Sequence, residues 1–274
     1  MSGPIKAIGF LAGQVGDLVM TTVALRQFKR QFPDSHLTFA IGKKYGHVAP
    51  LFRGISGVDD IHVWEAYDGW PAPEDKAFVN ERKPDILFHP FPQHTRYDWY
   101  NHLHYIEETA MMLGLDRPAD ALQCDLAPLY KSSRGSIVTL SMFASGTQLS
   151  KTLSMDKLVD LVSRLKREGF TPVQIGSADT PVKGAEQFVG KTIMDPVILM
   201  NSARFHITVD TAFSWIASAY SIPTIGLYGA NYADMPVDRI CSHNPVNPNA
   251  IYLNRRLVSE ITVDEIMAAA KLLQ

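Results

Sequence analysis

The chain has 274 residues, enough for two hydrophobic cores rather than one. Its composition is that of an ordinary globular protein, and a net charge of −2 excludes the strongly basic signature of a polyanion binder, so no nucleic-acid partner is expected. Cys124 and Cys241 have neither metal spacing nor a disulfide framework, no apolar run is long enough to span a bilayer, and Met1-Ser-Gly-Pro-Ile-Lys6 leads straight into a strand, so a cytoplasmic protein without a signal peptide is expected.

Ile5 to Leu11 reads as a buried strand, followed by a glycine turn over 12–17 that contains Gly13, Gly16 and Asp17. Leu18, Thr22, Leu25, Phe28 and Phe32 then recur at spacings of four, three, three and four, which is one face of a helix. Pro33-Asp34-Ser35 stops it, and His36 to Ile41 is a second strand. This is a βαβ unit with its turn at the carboxyl end of the first strand. It lacks the full Gly-x-Gly-x-x-Gly spacing and the downstream acid of a dinucleotide site, which counts against a nicotinamide or flavin enzyme. Asp60 to Trp64 predicts a third strand, 67–76 a proline-rich acidic loop, and Pro84 to His89 a fourth strand.

The segment from His89 to His102 is dense in aromatic and hydrogen-bonding side chains, among them His94 and Arg96. Past a strand end, such a segment suits hydroxylated rings and is a candidate acceptor surface; a loop packed by its own aromatics is the alternative. Its histidines show no metal spacing. A helix is expected over 103–115, and the prolines and polar run in 116–133 mark a boundary that divides the chain into 1–128 and 129–274.

The second half restarts the rhythm. Ser136 to Ser141 is a strand, a polar loop with Thr147 and Lys151 follows, and Ser154 caps a helix with an apolar stripe at Leu158, Leu161, Val162 and Leu165. Thr171 to Ile175 is a strand ended by Gly176, and a helix near 195–203 leads into the stretch 207–229. There, His206 to Val209 is a strand, Asp210 and Thr211 end it and are placed to cap a helix bearing Phe213, Ile216, Ala217 and Tyr220, and Thr224 to Tyr228 is a further strand. Thr262-x-x-Glu265 is a capping box for a last helix. In open α/β sheets ligands bind past the carboxyl ends of strands, and a helix N-terminus there presents N–H donors to an anion. On spacing alone, a plain strand–helix connection with an Asp cap accounts for 207–229 equally well.

Together these residues resemble glycosyltransferase family 9, the lipopolysaccharide heptosyltransferase family. Gly16-Asp17-Leu-Val-Met-Thr21-Thr22-Val-Ala-Leu25 is similar to the family's Gly-Asp-(apolar)2-x-Thr-x-Pro-Ala-Leu segment, with Val23 where proline is usual. Lys151 ahead of the Ser154 helix resembles Lys-x-Trp-Pro, and Gly176-Ser177 the glycine-rich turn after the next strand. Val209-Asp210-Thr211 and Pro223-Thr-x-x-Leu227-Tyr228-Gly229 resemble the Asp-(Ser/Thr)-Gly-x-x-His…Pro-Thr-x-x-Leu-(Phe/Tyr)-Gly signature, with Ala212 in place of its glycine and Trp215 in place of its histidine. The similarity is thin through 54–100.

The resemblance implies an α/β, GT-B-like architecture: two facing Rossmann-like domains with a cleft between them, the N-terminal one taking the acceptor and the C-terminal one the nucleotide sugar. It implies metal-independent, inverting transfer with no cofactor beyond the nucleotide-sugar co-substrate, ADP-heptose being the family's donor. Asp17 is then the catalytic base, with Gly16, His94 and Arg96 on the acceptor side and Thr147, Lys151, Gly176, Asp210, Thr211, Ala212 and Trp215 around the donor. The implied partners are a nucleotide-sugar donor and a glycan or lipopolysaccharide-core acceptor, and extend to peripheral contact with the inner face of the membrane. Two bland readings stay open, Asp17 as a helix cap and Lys151 as a surface lysine. So does a non-catalytic relative that binds a nucleotide sugar or serves as a scaffold.

Overall fold

The computed structural model describes residues 4–11, 13–65, 73–89, 104–118, 122–130, 135–143, 151–176, 180–230 and 235–273. The chain divides into two compact units, Met1–Pro128 and Leu129–Gln274. Each is a parallel sheet with helices, and each uses the same winding.

In the first unit, strands β1 (Lys6–Leu11), β2 (His36–Gly42), β3 (Asp60–Trp64) and β4 (Ile86–Phe88) lie in the order β3-β2-β1-β4. Helix α1 (Val15–Gln31) connects β1 to β2, α2 (Pro73–Arg82) precedes β4, and α3 (Tyr105–Met112) packs on α1. The register pairs Ala7 with Leu37 and with Ile86, so β1 is central and its carboxyl end lies where the winding reverses, between β2 and β4. Helix α1 is buried on more than the predicted face: every residue from Leu18 to Leu25 is covered, because the sheet lies on one side and α3 on another.

Two expectations are corrected here. The glycine turn ends at Gln14, so Gly16 and Asp17 belong to the first turn of α1. The acidic loop 67–76 gives way to α2 at Pro73, since proline suits the first position of a helix, where its missing N–H is not needed. Asp75 of α2 is buried and accepts the Glu65 N–H at 2.8 Å. A 3₁₀ segment, Lys43–Phe52, also stands where no element was expected.

The second unit carries β5 (Ile137–Ser141), β6 (Thr171–Gly176), β7 (Glu186–Val189), β8 (Phe205–Val209), β9 (Thr224–Tyr228) and β10 (Ala250–Asn254). Their order is β10-β9-β8-β5-β6-β7, which read from β7 is the 3-2-1-4-5-6 winding of a Rossmann sheet. Helices α4 (Met155–Arg167), α5 (Met194–Ser202), α6 (Ala212–Ala219) and α7 (Val263–Leu272) complete the unit. Ser154 caps α4 as expected, its hydroxyl accepting the Lys157 N–H, and Thr262 with Glu265 forms the capping box of α7. Leu158, Leu161, Val162 and Leu165 of α4 and Ile266, Ala269 and Ala270 of α7 pack in one core with Val138, Leu140, Ile207 and Val209 of the central strands.

β9 illustrates how tightly the strand beside β8 is held. Gly226 lies opposite Tyr252 of β10, and a methyl group there would stand 2.5 Å from the Tyr252 ring and 3.0 Å from that of Tyr228. The Tyr252 ring is anchored, because its hydroxyl donates to the Pro245 carbonyl at 2.5 Å. Gly226→Ala should therefore lower stability by about 1–3 kcal/mol, read as an earlier midpoint in urea unfolding. An unchanged midpoint would show that the Tyr252 ring yields.

Candidate functional site

The winding of the second sheet reverses between β5 and β8, and past the carboxyl ends of those strands the chain gathers polar side chains. β5 ends at Ser141 and β8 at Val209, with Asp210 and Thr211 next. The Ser141 and Thr211 hydroxyls are 3.1 Å apart across the reversal point, and the Thr208 hydroxyl lies 3.1 Å from the same Thr211 oxygen. Lys151, ten residues after the end of β5, reaches across to Asp210: Nζ to Oδ2 is 2.5 Å. The side chains are 21% and 18% exposed, so the pair is partly sheltered yet open to a ligand. Residues separated by 59 positions thus meet in the one place where this topology leaves a crevice.

Thr211 occupies the N-cap position of α6 but makes no side-chain cap bond. Its backbone is extended there (φ −138°, ψ 170°), and its hydroxyl is committed to Ser141 and Thr208 instead. The expectation that Thr211 or Asp210 caps α6 is corrected accordingly. The consequence is chemical: the first N–H groups of α6, at Ala212 and Phe213, are not covered by the side chain that usually takes them. Ser214 and Tyr228 fix the turn from below. The Tyr228 hydroxyl donates to Ser214 Oγ at 2.9 Å, and Ser214 Oγ donates to the Thr211 carbonyl at 2.6 Å. Burial, reinforced by the nearby Asp210 carboxylate, raises the Tyr228 pKa well above its ordinary value, so the phenol stays neutral.

Ala212 needs no glycine. Among the described residues the non-glycine positions at positive φ are Lys83 and Ser221, and Ala212 begins α6 with ordinary helical geometry. Gly176 does need to be glycine: φ is +98° where it ends β6, and a side chain there would approach the Phe213 ring of α6. Gly176 is thereby placed beside the first turn of α6. Trp215, two residues further along the helix, is buried at 4% exposure. Thr147 lies outside the described residues.

In the first unit, Asp17 stands in the first turn of α1, past the carboxyl end of β1. Its Oδ2 accepts the Gln14 N–H at 2.7 Å, so the carboxylate belongs to a capping interaction as well as to the strand-end position. Gly13 lies against it: a β-carbon at Gly13 would sit 2.7 Å from Oδ2. Gly16 is half-buried in the same turn. Across the reversal point of this sheet, after β4, the His89 ring packs on Phe10 with centroids 4.9 Å apart, and burial lowers the His89 pKa. His94 and Arg96 lie outside the described residues. Among the described residues no three His, Cys, Asp or Glu side chains converge as a metal site, and no helix is long and apolar enough to cross a membrane.

No protein-family profile matches the sequence, and no curated protein matches it. Solved structures do match over nearly the whole chain. A family 9 glycosyltransferase from Veillonella parvula DSM 2008 superposes with a TM-score of 0.73 at 14% identity, covering 99% of this chain and 97% of that one. The E. coli ADP-heptose lipopolysaccharide heptosyltransferase II gives 0.72 at 14% identity, covering 98% of each chain. The iron-containing dodecameric glycosyltransferase TibC from enterotoxigenic E. coli H10407 gives 0.71 at 16% identity, covering 100% of this chain and 77% of that one. The chain therefore has the fold of the family 9 glycosyltransferases, the α/β, GT-B-like class that its sequence resembles.

Proposed function

We propose that this protein is an inverting glycosyltransferase that moves a sugar from a nucleoside-diphosphate donor to a glycan acceptor without a metal. The observation that supports this most is the cation and helix terminus at the reversal point of the second sheet: Lys151 paired with Asp210, two residues before α6, whose N-cap side chain makes no cap bond. An ammonium and the N–H donors of a helix N-terminus suit a diphosphate, whose charge grows as it leaves. In this reading Thr147, Gly176, Asp210, Thr211 and Ala212 surround the donor, with Trp215 on the same helix, α6. ADP-heptose, named for the E. coli neighbours, is the first donor to test.

Asp17 is the base. The acceptor hydroxyl oxygen forms the new bond to the anomeric carbon from the face opposite the diphosphate. The old carbon–oxygen bond breaks with its electron pair going to the diphosphate, and the hydroxyl proton passes to the Asp17 carboxylate. Gly16 keeps that side of the α1 turn small, and His94 and Arg96 belong to the acceptor side. A lipopolysaccharide-core acceptor would place the work in the cytoplasm at the inner face of the membrane.

Lys151→Ala should raise the Kd for ADP by about tenfold or more in calorimetry, the loss expected for a charge-assisted contact to phosphate. An unchanged Kd would remove Lys151 from the donor site. A second reading, a relative that binds a nucleotide sugar without transferring it, is favoured by Trp215 standing in the core where the family motif has a polar ring. Donor binding with no transfer to any glycan would select it.

A further inference from the structure

Within the chain itself the Lys151 ammonium already has an anion. Among the described residues Lys151 and Asp210 are each other's only ionic partner, at 2.5 Å. A diphosphate seated on Lys151 and on the first turn of α6 must displace that carboxylate or share the ammonium with it. Once displaced, Asp210 is a partly sheltered carboxylate without a counter-ion, next to a ligand of the same sign. Among the described residues the neighbouring hydroxyls are already engaged: that of Tyr228 with Ser214, and that of Thr211 with Ser141 and Thr208.

Building on the donor site proposed above, we infer that Asp210 is an internal competitor for Lys151, which yields the ammonium to the incoming donor and reclaims it as the nucleoside diphosphate product leaves. Asp210 acts through Lys151 and so is a positioning residue for turnover. It limits the affinity for the product in exchange for faster release, a step that sets the rate of many enzymes once chemistry is fast.

The test compares wild type, Asp210→Asn, Lys151→Met and the double variant for binding of ADP and of inorganic pyrophosphate, which carries the diphosphate without a base. Calorimetry gives Kd, and stopped-flow gives the ADP dissociation rate. Asp210→Asn should bind both probes about fivefold more tightly and release ADP correspondingly more slowly, with the gain absent in the Lys151→Met background. A merely structural Asp210 would not tighten binding when removed. Unchanged or weaker binding by Asp210→Asn overturns the inference, as does an equal gain with and without Lys151, which would be plain charge repulsion. If wild type binds neither probe, the donor site itself is refuted and the competitor with it.

Discussion

Replacing Asp17 by asparagine is expected to slow sugar transfer by about 10²–10⁴-fold, the contribution of a positioned general base. The substitution separates the two jobs that this side chain holds. Its Oδ2 accepts the Gln14 N–H at 2.7 Å, and the side-chain carbonyl of asparagine can take the same bond. The first turn of α1 and the melting temperature should therefore hold. The amide has no basicity to take a proton from the acceptor, so turnover falls while ADP binding, which belongs to the second unit, stays within a factor of about two. Turnover equal to wild type would rule out Asp17 as the base. A loss of turnover matched by a fall in melting temperature would assign the residue to capping alone. Alanine is the harsher comparison, since it removes the cap as well, at about 1 kcal/mol.

Much of this architecture is legible in the sequence because the signals are local. The βαβ rhythm, the Ser154 cap and the Thr262–Glu265 box each lie within a few residues, and each is found where spacing puts it. β7 and β10 were not legible: the first is four residues with an exposed start, the second is half-buried throughout, and both are edge strands whose pattern is diluted by solvent. The donor side was legible as a list of residues but not as an arrangement. That Lys151 meets Asp210 depends on β8 lying against β5, a pairing set by sheet order. Thr211 shows the limit most clearly. By local rules it is a good helix cap, and tertiary contact with Ser141 turns its hydroxyl elsewhere, which leaves α6 without the cap bond of its N-cap side chain. At the same strand pair, β8 carries His206 fully buried.

Acid should unfold the second unit through His206. The imidazole is fully buried on β8, its Nδ1 lies 3.0 Å from the Thr139 hydroxyl and 3.2 Å from the Thr139 carbonyl, and its Nε2 has no hydrogen-bond partner among the described residues. Protonation would add a buried N–H at Nε2 with no acceptor and a charge with no counter-ion. Burial therefore lowers the pKa from 6.5 to about 3, the Thr139 carbonyl offsetting only part of it. The unfolded chain takes up this proton as the pH falls through 6.5, while the folded chain resists until about 3. Between those values the unfolded state holds more protons, so stability falls with falling pH; above the window neither state binds the proton, and below it the loss is complete. At about 1.36 kcal/mol per pH unit, the loss is about 2 kcal/mol at pH 5 and about 5 kcal/mol once the window is crossed. Carboxylates titrate over part of the same range, so the measurement is a difference. Urea unfolding of wild type and His206→Gln at pH 7 and pH 5 should show a stability drop about 2 kcal/mol larger in wild type, because glutamine carries no titrating proton. Equal drops in the two proteins would mean that the ring is hydrated in solution or reorients to pair Nε2, and that the acid sensitivity of this unit lies elsewhere.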